Sequence, residues 1–188
     1  MLKGWHNNTM RQPMSTKALI IGYGNVDRQD DGIAWHILAR IAAKLGVTRS
    51  LDPDLTAEVE TEWADLRFML QLTPEIAESI AAYPRVCYID ACAFPLQNGM
   101  TLINLEAQYQ PSPMTHHMTP ETCLAICQVL FQHQPEAALL SVAAHEFGFS
   151  RSLSAYTQAI IEPAADQIIQ WLSMPFPAQH EPVAEMQI

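Results

Sequence analysis

Positive charge is scarce in this chain, above all in its second half. The 188 residues include 10 Lys and Arg against 20 Asp and Glu, which gives a formal net charge of −10. After Arg85 the one basic side chain is Arg151, whereas nine carboxylates lie in the same stretch. Such a surface argues against binding to nucleic acid or to an anionic membrane, and it favours a metal ion or a basic partner.

Long apolar runs and paired cysteines are also missing. No apolar run approaches the roughly 20 residues that a membrane-spanning helix needs, and the polar stretch Met1–Thr16 has no signal-peptide core. The 4 cysteines form no CxxC pair, and we interpret them as reduced core residues. They are Cys87, Cys92, Cys123 and Cys127. We therefore expect a cytoplasmic protein that does not span a membrane.

Several well-known catalytic motifs are absent as well. The chain has no HExxH, no GxSxG and no P-loop sequence. His145-Glu146 lacks a second histidine four residues later, so it does not form a zinc-binding helix, and we expect it in a loop. The lack of a serine or cysteine constellation weighs against covalent catalysis.

What the chain does contain is an alternation of strand and helix patterns over a length typical of one domain. Strands are predicted at about residues 17–22, 57–61, 85–89, 100–106 and 138–143. Helices are predicted at about residues 31–45, 73–82, 119–131 and 153–172. Thr73 and Thr119 each precede a proline, a pattern that predicts a helix N-cap followed by proline at the first helical position.

This order of elements predicts the α/β class, as a three-layer α/β/α sandwich with a mostly parallel, five-stranded mixed sheet. The connection through Asn98-Gly99 is too short for a crossover helix, so residues 100–106 are expected to be the one antiparallel strand. Residues 1–16 are expected to be a disordered extension, 17–173 a single α/β domain, and 174–188 a mobile tail.

The stretch Ala18–Asn25 and the carboxylates that follow it are the most informative part of the sequence. A buried strand leads into Gly22-Tyr23-Gly24, and Asp30 and Asp31 then stand at the start of a helix. One carboxylate there would cap the helix, but two adjacent ones repel each other, so both capping and cation binding stay open. Asp27 occupies the third glycine position of a GxGxxG motif, and the acids would repel a pyrophosphate, which disfavours dinucleotide binding.

Two further groups are expected at the same edge of the sheet. Asp90 follows a buried parallel strand, and His116 and His117 precede a helix. An Asx turn and a solvated loop histidine are the structural alternatives. If the side chains converge, two carboxylates and one imidazole would suit a divalent transition metal and leave coordination positions open for another molecule.

These residues resemble the motifs of the nickel–iron hydrogenase maturation endopeptidases. Ile21-Gly-Tyr-Gly-Asn25, followed after four residues by Asp30-Asp31-Gly32, is similar to the opening of that family. The strand end at Asp90-Ala91, the histidines before Pro120 and the helix around Glu162-Pro163 follow in the family's order. The resemblance covers residues 17–172.

The resemblance implies a peptidase that removes the C-terminal extension of a [NiFe]-hydrogenase large-subunit precursor once nickel has been inserted. By position, the metal-binding residues would be Asp31, Asp90 and His117, with His116 as the alternative imidazole and nickel supplied by the precursor. His117 is preferred because Thr115 stands two residues before it, as a Ser or Thr does in relatives. Most relatives have Glu in place of Asp31, which would put the metal nearer the helix entrance.

Asp31 and Asp90 are also the predicted catalytic residues, with Asp30 in a supporting or acid/base role. Metal-activated and carboxylate-assisted hydrolysis both remain open. A metal-binding chaperone that docks on the precursor without cutting it would use the same residues. A nucleotide-binding α/β module is a third reading of the same pattern.

Overall fold

A computed structural model describes residues 17–48, 52, 58–109 and 118–175 of the chain. Its strands are β1 (Ala18–Tyr23), β2 (Glu58–Glu60), β3 (Ala64–Met69), β4 (Arg85–Cys92), β5 (Met100–Leu105) and β6 (Glu136–Ala143). Its α-helices are α1 (Ile33–Lys44), α2 (Ile76–Ile80), α3 (Pro120–Phe131) and α4 (Ala155–Leu172). Short 3₁₀ turns cover Gln29–Gly32 and Gln97–Gly99.

The six strands form one mixed sheet in the order β2-β3-β1-β4-β6-β5. Strand β1 pairs in parallel with β3 and β4, and β4 pairs in parallel with β6. The edge strands β2 and β5 are antiparallel to their neighbours. The predicted α/β class and the antiparallel β5 are thus confirmed, but the described residues hold six strands rather than five, two of them antiparallel.

Strand β3 is the element that the sequence prediction missed. Its residues alternate between buried and half-buried positions, and Asp65 and Arg67 occupy the half-buried ones. These charges interrupt the apolar run that marks a central strand. A three-residue turn pairs β3 with β2 as a hairpin, so β2 is the sheet edge, as its exposed acids suggested.

The predicted helix start is confirmed for α3 and wrong for α2 and α1. Thr119 caps α3 by accepting a hydrogen bond from the Thr122 backbone N–H, with Pro120 at the first position, as predicted. Thr73 does not cap α2, because that helix starts only at Ile76 and spans 5 residues. Helix α1 begins at Ile33 rather than Asp31, since the preceding residues form the 3₁₀ turn.

The core lies on both faces of the sheet, which completes the three layers. In β1, Ala18 and Ile20 pack in one cluster with α1 and α4, whereas Leu19 and Ile21 pack in the other with α2 and α3. Burial on both faces explains why β1 reads as a continuous apolar run. All four cysteines are free, and Cys92 is the one that is not fully buried.

Of the described helices, none combines the length and apolar character needed to cross a membrane. The predicted extension at residues 1–16, and residues 176–188 of the predicted tail, lie outside the described residues.

Candidate functional site

The site forms where β1 ends and the chain turns back towards α1. Gly24 has a φ of +140°, which favours glycine. A Cβ added to Gly24 would lie 2.1 Å from the backbone oxygen of Asp31. The glycine therefore lets the 3₁₀ turn Gln29–Gly32 approach the end of β1 closely.

Asp31 lies in this 3₁₀ turn and is half-buried. Its Oδ2 accepts a hydrogen bond of 2.9 Å from the backbone N–H of Asn25. The cap residue of α1 is Gly32, and no side chain caps that helix. Asp31 thus closes the turn after β1 instead of capping α1, and this leaves part of its carboxylate accessible.

Asp90 lies within β4, two residues before its end, and not after the strand as the sequence predicted, because the pairing with β6 continues to Cys92. Its Oδ2 accepts a hydrogen bond of 2.8 Å from the Tyr23 hydroxyl. Burial raises the pKa of Asp90 to about 6, and the negative charge of Asp31 adds to the rise, against the hydrogen bonds from Tyr23 and Ala91. The effect of the Asp31 charge on the pKa of Asp90 indicates that the two acids lie near each other, whereas their role as a common site stays a prediction.

Asp30 has a different environment from its neighbour. It is fully buried, and it accepts hydrogen bonds from the backbone N–H groups of His145, Glu146 and Ser154 and from the Ser154 hydroxyl, at 2.8 to 3.0 Å. Burial alone would raise the pKa of Asp30, but these hydrogen bonds outweigh burial and lower it to about 2.

The bonds of Asp30 attach the 3₁₀ turn to the start of α4. Ser154 is the N-cap of α4, so the Asp30 carboxylate also lies at the positive end of that helix. The capping interpretation is therefore wrong for Asp30: the Ser154 side chain caps α4 by accepting from the Thr157 N–H, and Asp30 holds Ser154 in place. A supporting role agrees with this geometry, whereas the acid/base role predicted for Asp30 stays a prediction.

Further hydrogen bonds fasten the loop after β6 to the same turn. Gln29 donates its backbone N–H to Ser150 O at 2.7 Å, and its side-chain Oε1 accepts from Gly148 N at 2.6 Å. Ser150 N donates in turn to Asp27 O at 3.1 Å. His145 and Glu146 lie in this loop, as predicted, and the His145 ring packs against Tyr156.

Apolar side chains are exposed in the loops that follow three of the parallel strands. Leu70 follows β3, Phe94 follows β4 and Phe149 follows β6. Phe149 is 92% exposed, and its ring lies under the Arg28 guanidinium. Because the carboxyl ends of parallel strands share one edge of the sheet, these apolar groups lie on the same side of the molecule as Asp31 and Asp90.

The acids of the site have no cation of their own within the described ranges. No lysine or arginine there forms an ion pair with Asp31 or Asp90. The same part of the chain holds no group of three metal-ligating side chains. His116 and His117 lie outside the described residues, so the predicted set of Asp31, Asp90 and His117 stays a prediction with two members brought together.

Tyr23 is the site residue that sequence reasoning missed. It stands inside the glycine motif, where attention falls on the glycines and on the acids that follow. Its position as the last residue of β1, a strand that pairs directly with β4, is the signal that could have placed it beside Asp90.

Comparison with known proteins places this geometry in a known fold. No protein-family model matches the chain, and no curated protein matches its sequence. Among solved structures, the hydrogenase maturating endopeptidase HybD from E. coli aligns with a TM-score of 0.61 and 15% identity, covering 84% of this chain and 92% of that one. The [NiFe] hydrogenase maturation protease HycI from Thermococcus kodakarensis aligns with a TM-score of 0.60 and 18% identity, over 85% and 94% of the two chains.

A hydrogenase 2 maturation peptidase from a Thaumarchaeota archaeon aligns with a TM-score of 0.53 and 18% identity, over 85% of this chain and all of that one. The chain therefore has the fold of the hydrogenase maturation endopeptidases. At these identities the likeness establishes the fold, and the activity must be argued from the site.

Proposed function

We propose that this protein is a cytoplasmic endopeptidase that removes the C-terminal extension of a [NiFe]-hydrogenase large-subunit precursor after nickel insertion. The observation that supports the proposal is that Asp31 and Asp90 lie near each other and that no lysine or arginine among the described residues forms an ion pair with either. Burial and the charge of Asp31 disfavour the ionised form of Asp90 unless a cation is brought to it. The fold supports the same assignment, because the aligned structures are described as proteases of this kind.

In this proposal the nickel belongs to the substrate. Asp31 and Asp90 offer carboxylate oxygens to a nickel ion that the precursor already holds, and His117 is the proposed third ligand. Contact with the metal tests whether nickel has been inserted. It also holds the scissile peptide in place, so that binding energy is used for orientation.

Hydrolysis requires water to attack the peptide carbonyl, with the C–N bond breaking and the leaving amine taking up a proton. Either the substrate's metal or a carboxylate activates the water.

The exposed apolar loops support a macromolecular substrate. Leu70, Phe94 and Phe149 expose apolar surface on the same side of the molecule as the two acids, and a small hydrophilic substrate would not require such surface. A polypeptide with apolar side chains near its metal centre would bury these groups on docking.

The deciding experiment incubates the purified full chain with nickel-loaded and metal-free precursor and follows precursor mass by mass spectrometry. We expect a mass loss for the nickel-loaded precursor alone, and none with Asp31→Ala. The control is Asp65→Asn, since Asp65 is also a hydrogen-bonded aspartate but lies at the amino end of β3, away from the site.

Two results would contradict the proposal. Binding of nickel-loaded precursor without any mass loss would assign the protein to the non-proteolytic chaperones. Thermal stabilisation by NAD or ATP, but not by Ni²⁺, would assign it to the nucleotide-binding modules.

A further inference from the structure

We propose that Tyr23 is a positioning residue that fixes Asp90 so that its Oδ1 faces the metal of the substrate. This inference rests on the proposed function. It concerns a residue of the glycine motif whose side chain reaches across from β1 to β4. Its basis is the hydrogen bond of 2.8 Å from the Tyr23 hydroxyl to Asp90 Oδ2.

The turn after β1 holds both acids in the same manner. Tyr23 donates its hydroxyl to one oxygen of Asp90, and Asn25 donates its backbone N–H to one oxygen of Asp31. Gly24 stands between these two donors, and its lack of a Cβ allows the Asp31 backbone to approach closely. Two donors two residues apart thus orient the two carboxylates of the site.

The hydrogen bond restricts how Asp90 can meet a cation. A free carboxylate rotates about its terminal bond and can contact a metal through one oxygen or two. With Oδ2 held by Tyr23, and with the Ala91 backbone N–H also donating to the carboxylate, the orientation of Asp90 is restricted and contact through Oδ1 is favoured. Ligating carboxylates are commonly held by such hydrogen bonds, and removal of the donor typically reduces metal affinity or activity about 10- to 100-fold.

Stability alone gives a competing explanation, because a half-buried tyrosine hydroxyl needs a partner wherever it lies. The chain contains a second pair with which to separate the two explanations. Tyr83 donates its hydroxyl to Asp65 Oδ2, also at 2.8 Å and also partly buried. Asp65 lies at the amino end of β3 and is paired with Lys17, so this bond is remote from the site.

The experiment compares Tyr23→Phe with Tyr83→Phe in the full-length protein. Each change removes one hydroxyl from a tyrosine–aspartate pair, and thermal unfolding measures the structural cost of each. Calorimetric titration with Ni²⁺ alone measures metal binding, and steady-state cleavage of nickel-loaded precursor measures function.

We expect Tyr23→Phe to raise the KM for nickel-loaded precursor about tenfold and to leave kcat within about twofold, because the lost interaction is made in the bound ground state. Ni²⁺ affinity should fall by a similar factor. Tyr83→Phe should leave KM, kcat and Ni²⁺ affinity within about twofold of wild type, whatever its effect on thermal unfolding.

The possible outcomes separate this inference from the proposed function. Cleavage by Tyr23→Phe with wild-type KM and Ni²⁺ affinity would overturn the inference and leave the function intact. If wild type binds Ni²⁺ but does not cut the precursor, the proposed function fails and the Ni²⁺ affinity of Tyr23→Phe still decides the inference. A wild-type protein that neither binds Ni²⁺ nor cuts the precursor would overturn both. Equal losses of Ni²⁺ affinity and cleavage in Tyr23→Phe and Tyr83→Phe would overturn the inference, because they would give Tyr23 a structural role alone.

Discussion

Carboxylates have opposite environments at the two ends of the parallel strands. The side of the sheet where these strands begin is the amino edge, and the side where they end is the carboxyl edge. At the amino edge, Asp65 accepts from Tyr83 and lies 3.1 Å from Lys17. The buried guanidinium of Arg85 lies 3.0 Å from Glu136 at the same edge. At the carboxyl edge, Asp31 and Asp90 have hydrogen-bond donors, but no lysine or arginine of the described chain pairs with them.

In the proposed function, this difference separates acids that stabilise the fold from acids that bind a ligand. An acid paired with a fixed cation is ionised at little cost, and its partner is already present. Burial and the nearby charge of Asp31 raise the pKa of Asp90, so ionised Asp90 is unfavourable until a cation reaches it, which favours an external cation. Mutations at the two edges should therefore separate activity from stability.

The largest effect is expected from the loss of either unpaired acid. Asp31→Ala and Asp90→Ala should each lower cleavage of nickel-loaded precursor at least about a hundredfold, since each removes a contact to the metal. Thermal unfolding should change little, because the substitutions relieve repulsion between the acids. Normal processing by either variant would exclude that residue from the site.

Separate substitution of His116 and His117 can identify which imidazole binds the proposed metal. We expect His117→Ala to lower cleavage at least about tenfold more than His116→Ala, because adjacent side chains point in different directions and one of them reaches the metal. Cleavage rates of the two variants give the ranking. The reverse order would transfer the ligand role to His116.

Asp30 should behave as a stability residue despite its place beside Asp31. Asp30→Ala leaves the backbone N–H groups of His145, Glu146 and Ser154 without their acceptor, and we expect a loss of about 3 kcal/mol in the free energy of unfolding. Urea titration measures it. An Asp30→Ala protein of wild-type stability would contradict the role of this residue in attaching α4.

Asp30 should also make the free energy of unfolding depend on pH. The folded-state pKa of Asp30 is lowered to about 2, so its stabilising contribution is complete above the ordinary pKa of about 4 and is lost as the pH falls towards 2. The stability difference between wild type and Asp30→Asn should therefore shrink by about 2 kcal/mol between pH 5 and pH 2. Unfolding titrations across that range test this, and a constant difference would argue against it.

The smallest effect is expected at the amino edge. Asp65→Asn removes the charge that Lys17 faces but keeps an oxygen for the Tyr83 hydroxyl, so the free energy of unfolding should fall by at most about 1 kcal/mol. Cleavage should match wild type within about twofold. A large loss of cleavage in Asp65→Asn would erase the distinction between the two edges.

Much of this arrangement could be predicted from local patterns. The apolar run of β1 and the glycine turn predicted where the site lies, and the strand that ends near Asp90 predicted its second acid. Strand β3 was missed because its pairing with β1 holds Asp65 and Arg67 at half-buried positions, where charge is tolerated. Thr73 was wrongly predicted as the N-cap because the Thr-Pro pattern stands three residues before the start of α2 at Ile76.

The roles of Asp30 and Asp31 lay beyond any local pattern. In sequence the two residues are identical neighbours at the start of a helix. In the fold, one meets four donors from segments more than 110 residues away, and the other meets a backbone N–H six residues back. Burial and donor count separate their chemistry, and both depend on what the rest of the chain brings to that point.

Periodicity, glycine and proline by themselves determined the α/β class and the edge of the sheet at which polar groups collect, because these signals act over a few residues. Only the tertiary structure decided that Asp30 attaches α4, that Asp31 and Asp90 share a site, and that Tyr23 lies against Asp90. These are contacts between segments remote in the chain, and their hydrogen bonds and burial exist only once β1, β4 and α4 have packed.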